Sequence, residues 1–131
     1  MDKKLHAIHN EEACNFIHSD GKYCDWVVTT SFYAALHYVQ HEIFPLTING
    51  VEYDTFDKYF NGHYQGRKNR PNKHVSTLNL VRAELGENVH QNYHWLFDLC
   101  MNARYVDYNI HKFIAEESLK RLSKIKALLK K

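Results

Sequence analysis

Arg104 and His111, seven positions apart in RYVDYNIH, are the two side chains whose chemistry best suits a phosphodiester. Arginine supplies a permanent forked charge for phosphate oxygens, and histidine gives or takes a proton near neutral pH. On a continuous helix seven residues advance about 700°, which returns both side chains to one face two turns apart. Tyr108, one turn from Arg104, would assist, and the set suits RNA cleavage without a metal. A plainer reading stays open, in which Arg104 pairs with Asp98 or Asp107 and His111 sits at an exposed helix start. A second candidate is RKNRPNKH, where Arg67 and Arg70 precede His74. Pro71 interrupts any helix joining them, but His74 falls at the start of the next helix, whose free N–H groups attract anions. These three are candidate nucleic-acid-binding residues.

The chain has 10 histidines. His37 with His41, and His90 with His94, fall at helical i, i+4 spacing, which places two imidazoles on one face. No carboxylate lies inside HYVQH or HQNYH, so the general-base glutamate of an HExxH zinc site is missing and no metal is expected. A His-rich metal-binding bundle ranks last among the readings. His37 lies in the most apolar run, DWVVTTSFYAALHYVQHEIF, and shares a stripe with Trp26, Tyr33 and Phe44. It is expected to be structural, buried and hydrogen-bonded to His74 or Tyr105, since buried polar groups are nearly always paired. Trp26 and Tyr105 are expected to be structural as well.

The elements that must position these groups read as helices. Residues 3–18 are amphipathic and stop near Gly21; residues 25–44 are apolar nearly all round, hence central, and Pro45 ends them. Residues 45–73 form a long connection with one helical turn near 54–60. Residues 73–85, 88–109 and 110–130 carry helical periodicity, with Val75, Leu78, Val81 and Leu85 inward in the first and Gly86 as its stop. No strand alternation is evident. The expectation is an all-α, up-and-down bundle of about five helices, with a long loop between the second and third.

At 131 residues the chain fits one domain, 1–131, and 44% hydrophobic residues suffice for a core. Its formal net charge of +2 is too small for a general nucleic-acid binder, although Lys120–Lys131 and Arg67–Lys73 are acid-free basic clusters. Three cysteines without CxxC spacing point to free thiols in a reducing cytoplasm. No secretion signal and no membrane span are read from the sequence.

Several phrases together carry a family resemblance: DW followed by YAALH, the KHVSTLNLV helix, and Asn102-Ala103-Arg104-Tyr105 ahead of an amphipathic helix. Over roughly residues 5–130 the chain resembles the HEPN domains, the higher eukaryotes and prokaryotes nucleotide-binding group. That resemblance implies a helical bundle, a homodimer, no cofactor, and a place in prokaryotic defence or toxin-antitoxin systems with RNA, a nucleotide or a partner protein as ligand. Active members carry an arginine and a histidine with four to six residues between them, and Arg104 and His111, with six between, match that pattern at its longest spacing. Tyr105 departs from the small polar residue that usually follows the arginine. The resemblance therefore implies a binding and interaction module first, and a metal-independent ribonuclease second.

Overall fold

A computed structural model of the protein describes residues 2–131. Helix α1, Lys3–Asp20, begins where Asp2 accepts the N–H groups of Lys4 and Leu5 at 2.9 and 3.2 Å, which satisfies two donors the helix leaves free. It ends at Gly21, whose φ of 80° is the left-handed conformation glycine adopts at no steric cost. A short turn leads into α2, Cys24–Ile43, which stops before Pro45. Val28, Phe32, Ala35 and Val39 are wholly buried there, and α2 packs against α1, α5 and α6.

The connection after α2 is more ordered than its composition suggests. Strands β1, Leu46–Ile48, and β2, Val51–Tyr53, form an antiparallel hairpin in which Ile48 faces Val51. Asn49 and Gly50 turn it with φ of 51° and 79°. Positive φ at both central positions matches the right-handed twist of a hairpin, and Asn-Gly is the pair that tolerates it. Strands of three residues are too short to show alternation in the sequence, where 45–73 reads as a connection. Helix α3, Phe56–His63, follows, capped by the Thr55 hydroxyl and buried through Phe56, Tyr59 and Phe60.

Helix α4 spans Lys73–Leu85 and is capped by Asn72, whose side chain accepts the Val75 N–H at 2.8 Å. Its buried face is Ser76, Thr77, Leu80 and Val81, while Val75, expected inward, is exposed at the first turn. Helix α5 runs Glu87–Tyr105 and α6 Lys112–Leu128. The described residues thus hold six helices and one hairpin in place of about five helices and a loop, and the fold is mostly helical.

Two sets of contacts fix the ends of the molecule. Cys14, Val27 and Ala115 form a small buried cluster, which gathers the late part of α1 and the starts of α2 and α6. At the other end the backbone N–H groups of Lys130 and Lys131 donate to the Glu42 carboxylate at 2.6 and 3.0 Å. Lys126 donates to Glu11 at 3.0 Å, so part of the C-terminal basic run is spent on intramolecular contacts.

The core is centred on Phe32, Tyr93 and Leu96. The Tyr93 hydroxyl is buried with no hydrogen-bond partner, and burial pushes its ionisation far above the usual phenol range. An unpaired buried hydroxyl forfeits about 1–3 kcal/mol of solvation. Tyr93→Phe is therefore expected to raise the melting temperature, by about 3–5 °C per kcal/mol recovered. A lowered melting temperature in a thermal scan would show that the hydroxyl is satisfied after all.

Candidate functional site

The stripe Trp26, Thr30, Tyr33 and His37 on α2 is the face this helix leaves least buried. Its spacing is helical, as the sequence implies, but it looks outward. Trp26 is 52% exposed, so the structural role expected of it does not come from burial. The reason is that α2 is apolar all round, so periodicity alone does not say which stripe its neighbours cover. Tryptophan, tyrosine and histidine carry a polar edge on an apolar body and suit a half-wet wall.

These four side chains floor an open groove of about 520 Å³, with His6 and Asn10 of α1 on one side and Arg104 of α5 on the other. No Asp or Glu lines it. Arg104 is exposed near the end of α5; its guanidinium donates to the Tyr33 hydroxyl and lies 5.9 Å from the Tyr33 ring centre and 5.2 Å from that of Tyr105. The alternative pairing of Arg104 with Asp98 or Asp107 is not formed: Asp98 lies 3.4 Å from His94, and Asp107 accepts the Asn109 N–H. Burial raises the ionisation of the Tyr33 hydroxyl, which the Arg104 charge partly offsets. Tyr33 therefore stays a neutral donor and acceptor.

His37 stacks on His6, with ring centres 3.8 Å apart and planes 20° from parallel. That replaces the expected partners His74 and Tyr105. Nδ1 of each ring is buried without a hydrogen-bond partner. Burial, then the His6 and Lys3 charges, hold His37 down at about 4, so it is neutral at physiological pH.

Arg104 and His111 do not share a helix face. Helix α5 ends at Tyr105, and His111 is the N-cap of α6, where its Nδ1 accepts the Phe113 N–H at 3.0 Å. One ring nitrogen is thus committed to the cap. Tyr108 lies between them, 77% exposed, and Tyr105 is 70% exposed, contrary to a structural role by burial. The group of Arg67, Arg70 and His74 is divided. Arg67 lies over the half-buried Tyr64 ring at 5.6 Å and Arg70 over the buried Phe60 ring at 5.2 Å, giving a basic patch beside the end of α3. His74 instead sits between Phe32 and Phe97, held below its usual range by burial and then by the Arg104 charge.

Among the described residues no group of three His, Cys, Asp or Glu side chains is placed to hold a metal ion. No helix among them is long and apolar enough to cross a membrane, and Cys14, Cys24 and Cys100 are free thiols. His6 and Asn10 were not singled out from the sequence. A usable signal existed: His6 precedes the turn at Gly21–Tyr23 by about as many residues as His37 follows it, so an antiparallel helix pair sets them opposite one another. Compared with known proteins, the chain matches no family model, no curated protein and no solved structure.

Proposed function

We propose that the chain is a HEPN-like nucleic-acid- or nucleotide-binding module on an up-and-down helical bundle, acting as a homodimer in a cytoplasmic defence or toxin-antitoxin system. The observation that carries the binding reading is the groove: an exposed indole, a guanidinium and two imidazoles on a wall without carboxylates. A volume of about 520 Å³ lies in the range of small-ligand sites and can take a nucleotide. A base stacks on Trp26, as bases do on aromatic platforms in single-strand binders, while Arg104 takes a phosphate. Arg67 and Arg70 form a second basic patch outside the groove that supports contact with further phosphates.

The dimer reading is supported by Tyr23, Trp26, Tyr105, Val106, Tyr108 and Phe113, all exposed and all near the same end of the bundle. Apolar side chains gathered in this way mark interaction surfaces. Trp26 belongs to both that surface and the groove. The ribonuclease reading stays second, because it needs Arg104 and His111 on one phosphate while His111 has Nδ1 committed to a helix cap.

Tetrauridylate is expected to quench the fluorescence of the wild type and not of Trp26→Phe. Trp26→Ala is expected to weaken binding roughly tenfold, the worth of one base stacked on an aromatic ring. Absence of any binding would sink the nucleic-acid reading. A sedimentation coefficient that stays monomeric up to high protein concentration would remove the dimer.

A further inference from the structure

We infer that His6 and His37 form the proton-taking wall of the groove: an oxyanion seated beside Arg104 loads a proton onto the stacked pair, and the site holds phosphate more tightly as pH falls. This rests on the reading of the groove as a phosphate site. The geometry supplies the reason. The two rings are parallel within 20° at 3.8 Å, come from different helices, and each leaves Nδ1 unpaired. Two imidazoliums at that distance would repel by about 4 kcal/mol at an effective dielectric of 20, so the pair takes one proton and not two.

The surroundings explain why His37 stays neutral in the absence of a ligand. From α1, His37 is faced by Lys3 and His6; across the groove α5 presents Arg104. On α2 itself Tyr33 and His41 lie one turn away on either side, and Tyr33 already accepts from Arg104. Asp2 is the carboxylate that shares a surface hollow with His6 and His9, and its Oδ1 accepts two backbone N–H groups as the α1 cap. From α4, His74 lies near enough to Arg104 to be depressed by it and adds no negative charge. The Thr29 and Thr30 hydroxyls donate to backbone carbonyls at 2.8 and 2.6 Å, so neither proton is free for an anion. Within the groove itself no carboxylate faces His37, so negative charge on that side comes from a ligand.

An opposite charge within about 4–6 Å raises the proton affinity of such a group by roughly one to three pH units. Starting from about 4 for His37, a rise of about two makes oxyanion affinity close to tenfold greater at pH 5 than at pH 7. The sign follows from linkage: the bound state carries more protons, so acid favours binding.

The test is a histidine-ring NMR titration of the full chain in sodium sulfate and in sodium chloride at equal ionic strength. Sulfate keeps its charge throughout the range, so any proton taken up belongs to the protein. The His37 midpoint is expected to rise by at least one pH unit in sulfate, and Arg104→Gln is expected to abolish that difference. Equal midpoints in the two salts overturn the inference even if tetrauridylate binds, as does a difference that survives in Arg104→Gln. If sulfate moves His37 while tetrauridylate fails to bind, the nucleic-acid reading falls and the proton-linked oxyanion site stands.

Discussion

Arg104→Ala is expected to weaken tetrauridylate binding by roughly 10- to 100-fold while leaving the melting temperature unchanged. The first figure follows from hydrogen bonds to a charged group, worth about 1.5–3 kcal/mol each. The second follows from position. Arg104 is exposed, its hydrogen-bond partner is the Tyr33 hydroxyl, and surface changes of this kind stay within about 0.5 kcal/mol of stability. Arg104→Lys keeps the charge and loses the fork, so it is expected to fall between the two. Salt dependence adds a separate readout: removing one phosphate contact lowers the slope of log affinity against log salt by about 0.7 for a single strand. An alanine variant with undiminished affinity would place the ligand elsewhere. One with reduced affinity and an unchanged slope would move Arg104 from phosphate to base.

Helix positions were readable because their signals are local. Asn72 as a cap and Gly86 as a stop delimit α4 over residues 73–85, the same bounds that periodicity assigns. Gly21 and Pro45 do the same on either side of α2. What the sequence left open was orientation and distance. The α2 stripe through Trp26, Tyr33 and His37 has the right period, yet it faces the groove because α1, α5 and α6 cover the other sides. Arg104 meets Tyr33 across 71 positions, a contact no spacing argument reaches. The apparent link from Arg104 to His111 assumed a continuous helix, and the chain instead leaves α5 at Tyr105 and restarts α6 with His111 as the cap. His111 is informative as a cap residue, since its ring replaces the usual serine or aspartate in accepting an N–H. In each case the residue type was informative and the partner was set by tertiary packing.

Phe32→Ala is expected to cost about 3–5 kcal/mol, the range for removing a buried phenylalanine ring. Phe32 is wholly buried, and the rings of Tyr33, Tyr93, Phe97 and His74 stand around it with centres 5.1, 5.5, 5.8 and 6.1 Å away. It therefore joins α2 to α4 and α5, and the void it leaves cannot close without moving all three. Against a total stability of about 5–15 kcal/mol, such a loss threatens the folded state itself. A urea melt checks it: the midpoint should fall steeply, with Phe32→Leu recovering part of the loss because it refills part of the volume. A cost below about 1 kcal/mol would show that the three helices do not converge on this ring. The comparison with Arg104→Ala then separates scaffold from site. Phe32 sits one residue from Tyr33 and beneath His74, so its loss should reduce binding in step with the folded fraction. Arg104→Ala should reduce binding at full folded fraction, and that difference identifies the groove rather than the core as the place where ligand is held.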